Sequence, residues 1–205
     1  TRLQSSFTPS NVEIIKESML AVREIKQTAS LSEVVDSCLS GDTVLLLDEA
    51  PEALVINTRG WESRGIQEPH TETTIRGPRE GFTENLSTNT VLLRRKIKNP
   101  NFTLEKLDLG KRTKTSICIA YLKDVTNPRL VEEIKRRLKR IDIDAILESG
   151  YIEQLIEDAP FSPFATIGNS EKPDVVAAKI LEGRAAILVD GTPVALTVPM
   201  VLIEN

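Results

Sequence analysis

Two stretches of this chain repeat one another without a gap, and any fold it adopts must accommodate both copies in the same way. They occupy residues 39–54 and 181–196, an offset of 142 residues (183 − 41). Identical pairs are Leu39/Leu181, Gly41/Gly183, Leu46/Leu188, Asp48/Asp190, Pro51/Pro193, Ala53/Ala195 and Leu54/Leu196. Identity at that density marks an internal duplication. Each copy has the same physical grammar. A helix over 32–39, and again over 173–181, ends at a glycine, the residue that takes positive φ after a helix without a Cβ penalty. A short apolar strand follows, then a turn holding Asp and Pro, then a second strand, which together spell a β-hairpin.

More elements are legible around the second copy. Residues 103–109 and 115–122 read as strands joined at Gly110-Lys111. Asn127-Pro128 supplies an N-cap followed by proline in the first turn. Leu130, Val131, Ile134, Leu138 and Ile141 then recur at helical spacing, with Glu132 and Glu133 early and Lys139 and Arg140 late, as the helix dipole favours. A further helix is expected over 151–157. The first copy is shorter, because a counterpart of the strand at Thr115 would fall before residue 1 (115 − 142). The first lobe is therefore expected to be an incomplete copy, starting from a helix over 11–25 with Val12, Ile15, Met19, Val22 and Ile25 on one face. A different strand order in that lobe would contradict this.

The expected class is mixed α/β (α+β). Two related small lobes, each of helices packed on a short mixed β-sheet with a terminal β-hairpin, are joined by a linker helix. The expected boundaries are 1–78 for the first lobe, 79–98 for the linker helix and 99–205 for the second lobe.

Composition removes several function classes. The net charge of −4 argues against a broad nucleic-acid face. His70 is the sole histidine, too few for a histidine triad or a zinc cluster. Cys38 and Cys118 lie in apolar-periodic segments and read as two buried free thiols, which suits a reducing compartment. No run approaches the roughly 18 apolar residues of a membrane span. With neither a signal peptide nor an initiator Met, the chain is expected to be a soluble piece of something larger.

Candidate chemistry concentrates in few places. Val44 to Glu49 matches the apolar strand ending in Asp-Glu that holds magnesium in nucleotide hydrolases. The glycine-rich loop with Lys-Ser/Thr is missing, and the repeat aligns Asp48-Glu49 with the hairpin turn Asp190-Gly191. Arg76-Gly77-Pro78-Arg79-Glu80-Gly81 offers guanidinium forks to a phosphate or carboxylate, or alternatively forms the turn that opens the linker helix. Phe82, Leu86, Leu93 and Ile97 follow at helical spacing. Two basic clusters, Arg94-Arg95-Lys96 with Lys98 and Lys135-Arg136-Arg137 with Lys139-Arg140, present either a partner surface, a lipid surface or a solvated helix face. Ser149-Gly150-Tyr151 lacks the surroundings of a nucleophile elbow, and the acidic run Glu153 to Asp158 lacks EF-hand spacing. The sequence therefore predicts no enzyme, no catalytic residue, no cofactor and no metal site.

Several blocks, in this order, carry a resemblance. They are Glu68-Pro69, Glu72, Ile75 through Asn85, Thr88-Asn89, Leu93-Arg94-Arg95, Glu148 through Asp158, Ser162-Pro163-Phe164, Lys172-Pro173-Asp174, Leu181 through Arg184 and Val189 through Pro193. From about residue 12 to Asn205 the chain resembles the A subunits of spore germinant receptors, the GerA family. The departures are small: Leu93 and Lys96 where Ile and Arg are common, and Ala165 where proline is frequent. The resemblance implies an amino-terminal soluble part that precedes several transmembrane helices, in the inner membrane of the dormant spore and on its cytoplasmic, core-facing side. It also implies germinant receptor B and C subunits as partners, a homo-oligomer of A subunits forming an ion-conducting pore, and a nutrient trigger. The first expectation for this region is a signalling module that assembles and couples subunits, with Arg94 and Arg95 as contacts. The alternative is a small-molecule module with the nutrient between the lobes, touched by Arg76, Arg79 and Glu80.

Overall fold

The structure, a computed structural model, describes residues 25–48, 50–58, 80–157 and 166–200. The chain divides into two units, Thr1–Glu62 and Ser63–Asn205. The boundary expected at residue 78 falls outside the described residues, as does the helix expected over 11–25 up to residue 24.

In the first unit the described elements are β1 (Ile25–Thr28), α1 (Leu31–Leu39), β2 (Thr43–Leu45) and β3 (Ala53–Ile56). Ile25, expected to end a helix, opens a strand instead. Ser30 caps α1, its hydroxyl accepting from the Glu33 amide. Gly41 follows the helix at φ +90°, the left-handed conformation that let the sequence place the helix end. The strands form a three-stranded sheet in the order β1-β3-β2.

The second unit contains α2 (Leu86–Lys96), β4 (Phe102–Leu109), β5 (Thr115–Leu122), α3 (Pro128–Arg140), α4 (Ser149–Ile156), β6 (Gly168–Ser170), α5 (Pro173–Leu181), β7 (Ala185–Val189) and β8 (Ala195–Val198). Its sheet has five strands in the order β4-β5-β7-β8-β6. Alternation along β5 divides the core between two faces. Cys118, Ala120 and Leu122 pack with residues of α2 and α5, whereas Ile117, Ile119 and Tyr121 pack with residues of α3 and α4. The central strands are therefore apolar on both sides, with a helical layer over each.

The duplication holds in register. In the first unit Thr28 opposes Ala53 and Gln27 opposes Leu54; in the second, Ser170 opposes Ala195 and Asn169 opposes Leu196. Thr43 opposes Ile56 and Leu45 opposes Leu54, as Ala185 opposes Val198 and Ile187 opposes Leu196. Every one of these pairs is related by the offset of 142, as are α1 and α5 end to end. Gly183, the counterpart of Gly41, has φ +94°. The strand order of the first unit is thus that of its copy.

Three expectations are corrected. All strand pairings among the described residues are antiparallel, where mixed sheets were expected. Both sheets are built from hairpins and returning strands, which antiparallel pairing joins most directly. The helix expected over 79–98 spans only Leu86–Lys96, because Asn85 terminates it by accepting from the Thr88 amide at 3.0 Å. Leu86, Leu92 and Leu93 of that helix are buried in the core of the second unit. Cys118 is buried and free, and burial pushes its thiol up to about 11, but Cys38, also free, is exposed. Cys38 sits on α1, a helix with no buried residue.

Candidate functional site

The end of α2 carries two of the sequence-predicted site residues, Arg94 and Arg95, and a third, Glu80, pairs with it. Arg94 lies over the Phe102 ring, 5.5 Å from its centroid, in cation–π range. Glu80 comes back to the same helix end, 3.7 Å from Arg95 Nη2 and 3.3 Å from Lys96 Nζ. All three cationic groups sit in the last turn, where the helix dipole favours positive charge. Each of these side chains is partly covered, Arg95 by about two thirds and Glu80 to a similar degree. The arrangement fixes a cluster of planar guanidinium groups against the protein while leaving part of it to solvent, suited to holding a carboxylate-bearing partner. Arg76 and Arg79 lie outside the described residues; of the rest, Glu80 meets Arg95, and Arg94 lies over Phe102.

Three basic residues of α3, Lys135, Arg136 and Arg137, are already matched by acids. Asn127 caps the helix at the Arg129 amide and Pro128 occupies its first turn. Val131, Ile134 and Leu138 face the core, which leaves the charged residues outward. Lys135 Nζ is 2.6 Å from Glu105 Oε2 of β4, and the Tyr121 hydroxyl donates to the same carboxylate. Lys135 first, and Tyr121 second, hold Glu105 below the usual carboxylate range. Burial, reinforced by Glu105, pushes Tyr121 up to about 12. Arg137 Nη1 donates to the Ile156 carbonyl at 2.6 Å and ties α3 to α4.

Glu133 accepts from both Arg136 and Arg137, which lower its carboxyl from 4.5 to about 2. The folded value lies below the unfolded one, so this contribution to stability is complete above about pH 4.5 and fades as pH falls towards 2. A carbon-detected NMR titration should find the Glu133 midpoint near 2, and a midpoint near 4.5 would mean the two arginines do not hold it.

Beside this helix lies a cavity of about 260 Å³, lined by Leu130, Ile134, Ile156, Ile167, Val198 and Met200, with Arg137 among its walls. Sequence reading missed it, since its walls come from positions that no local pattern connects. Among the described residues no group of three or more His, Cys, Asp or Glu side chains is placed to hold a metal ion. No described helix is long and apolar enough to cross a membrane.

Known proteins resemble this chain in sequence and in fold. A family model described as "Bacillus/Clostridium GerA spore germination protein" matches residues 2–205. Spore germination protein KA of Bacillus subtilis (strain 168) is 45% identical over 193 residues, covering 94% of this chain and 36% of that protein. Spore germination protein GerLA of Bacillus cereus is 39% identical over 193 residues, covering 94% and 39%. The chain thus spans a little over a third of the curated relatives it matches. The crystal structure of the N-terminal domain of the A subunit of the Bacillus megaterium spore germinant receptor GerK3 is 38% identical, with a TM-score of 0.71, over 97% of this chain and 71% of that one. The sequence blocks, the two-sheet α/β architecture and these matches agree: the chain belongs to the Bacillus/Clostridium GerA spore germination protein family.

Proposed function

We propose that this chain is the amino-terminal region of a germinant receptor A subunit, and that it works without catalysis by assembling and coupling subunits. The likeness to the GerK3 A-subunit domain, over nearly the whole of this chain, carries the reading. The region acts in nutrient-triggered spore germination, passing a signal to a membrane-embedded, ion-conducting part of the same receptor. Its partners are the B and C subunits and further A subunits, at the inner spore membrane on the core-facing side. The helix α2, packed in the core of the second unit, presents the contact surface. Arg94 and Arg95 are the contacts, since the fold pins them at a helix end while leaving them part-exposed.

The test is a double charge reversal, Arg94→Glu with Arg95→Glu, in the full-length receptor in spores. Nutrient-triggered germination should slow by about tenfold or more, the loss expected when a like charge is placed in a complementary interface. The melting temperature of the 205-residue chain should move little, because partly exposed ion pairs each contribute about 1 kcal/mol or less. Germination at the wild-type rate with a folded variant removes these arginines from the coupling surface.

A second reading is favoured by the cavity beside α3, whose mostly apolar walls, with the Glu133–Arg137 ion pair among them, suit a small nutrient. Titrating the labelled chain with a panel of amino acids, sugars and nucleosides separates the two. Saturable shifts at Ile134, Ile156 and Val198 support binding, and no shift at millimolar nutrient disposes of it.

A further inference from the structure

The two copies agree in register but differ in what covers them. In the second unit, the groove between the start of α5 and the β7–β8 turn is filled by the segment leading into α2. Phe82 and Leu86 are buried there with Val176, Leu188 and Ala195. Three hydrogen bonds seat that segment: the Phe82 amide donates to the Glu171 carbonyl at 2.8 Å, the Leu86 amide to Asp190 Oδ1 at 3.0 Å, and the Gly191 amide to the Glu84 carbonyl at 2.7 Å. Asp190 is thus the carboxylate that receives the beginning of α2.

Moving back by 142 residues gives Ala29 for Glu171, Val34 for Val176, Leu46 for Leu188, Asp48 for Asp190 and Ala53 for Ala195. Ala29, Val34, Leu46 and Ala53 line a concavity of about 190 Å³ in the first unit, together with Leu31 and Leu47, and Asp48 follows Leu47 directly in the chain. The concavity is uncovered. Leu46 is 72% exposed and Leu31 76%, against 1% for Leu188. The helix α1 buries no residue, whereas α5 buries Pro173, Val176, Ala177 and Ile180. Asp48 is exposed, and its carboxylate has no hydrogen-bond partner among the described residues.

We propose that this groove is the docking site for a segment of another polypeptide, made of an extended residue with a large apolar side chain and, four positions on, the first turn of a helix. The duplicated unit seats just such a segment on the equivalent residues. The apolar side chain fills the space between Val34 and Leu46, and its amide donates to the Ala29 carbonyl. The first turn of the incoming helix presents unpaired amides and a positive dipole end to the Asp48 carboxylate. Glu33, Asp36, Asp42, Asp48 and Glu52 are the acids of this unit's described residues, with Lys26 their lone basic counterpart, so basic flanks favour the incoming segment. The recognition is of the helix-in-groove kind. It stands on the duplication and does not depend on the receptor role.

The probe is a synthetic peptide of residues 80–98, the chain's own seated segment, titrated into the isotope-labelled 205-residue protein. At up to about 1 mM peptide, saturable amide shifts are expected at Ala29, Leu31, Val34, Leu46 and Asp48. A peptide with Phe82→Ala should bind about tenfold more weakly or worse, and so should the intact peptide to Leu46→Glu protein. An Asp48→Ala protein should lose several-fold. Both protein positions are exposed in the free chain, so the variants keep their fold, which their melting temperatures verify. Absence of saturable shifts overturns the proposal, as do shifts confined to the second unit. So do methyl NOEs, in the free chain, from Leu31 and Leu46 to residues 1–24, because the groove would then be filled from within.

Discussion

Replacing Leu188 with alanine should destabilise the second unit by about 2–5 kcal/mol, while the same change at Leu46 should alter stability by less than about 0.5 kcal/mol. The two leucines are duplicates in sequence, so residue type is the same at both, although β2 ends at Leu45 whereas Leu188 lies inside β7 opposite Ala195. What differs is surroundings. Leu188 is 1% exposed, packed between α2 and α5, and its truncation leaves a cavity among neighbours that cannot close around it. Leu46 is 72% exposed, and alanine there removes little contact. Because the units need not unfold together, a single melting curve would mix them. Native-state hydrogen exchange, read separately for β3 and β7 amides, keeps them apart. Equal losses in both variants would mean that the first unit's groove is covered in solution.

Phe82→Ala is the second large effect, at about 3–5 kcal/mol. Phe82 is 6% exposed and lies outside α2, yet belongs to the same apolar cluster as Leu86, Leu92 and Leu93. Its ring anchors the strap on which the start of α2 depends. Without it the bonds from Phe82 to Glu171 and from Leu86 to Asp190 lose their support, and the helix end they satisfy is exposed to competition from water. Calorimetry of the whole chain should show the loss in the transition of the second unit. A change below about 1 kcal/mol would show that α2 is held by its own side chains alone.

Much of this fold is written locally. Glycines at 41 and 183, the Asp-Pro turns and Asn127-Pro128 each force a local backbone outcome, so the hairpins, α3 and α5 emerge where the pattern places them. The start of α2 is not local. Phe82, Leu86, Leu93 and Ile97 share helical spacing, which drew the expected helix back to residue 79. The real start is set by the Asn85 cap and by bonds to Glu171 and Asp190, some ninety to one hundred residues away, which periodicity does not contain. The same limit explains Cys38, whose apolar spacing predicted burial on a helix that nothing described covers. At the candidate site, the basic residues of α2 and α3 were visible as charge. Their partners were not: Lys135 meets Glu105 across thirty residues, and Arg94 meets an aromatic ring on the next strand.

The strand order β4-β5-β7-β8-β6 has a bearing on how the protein is made. Of the described strands of this unit the last to be synthesised, β8, is an interior strand, and β6 joins the sheet only through it. While the ribosome is still building residues up to Val198, Gly168–Ser170 has no ladder to complete, and the growing chain holds a β4–β5–β7 meander with an unfinished edge. Closure of the second unit therefore waits until Val198 has been made. Until then the β7 edge is open to other strands, which is the interval in which nascent chains of this unit need shielding from one another.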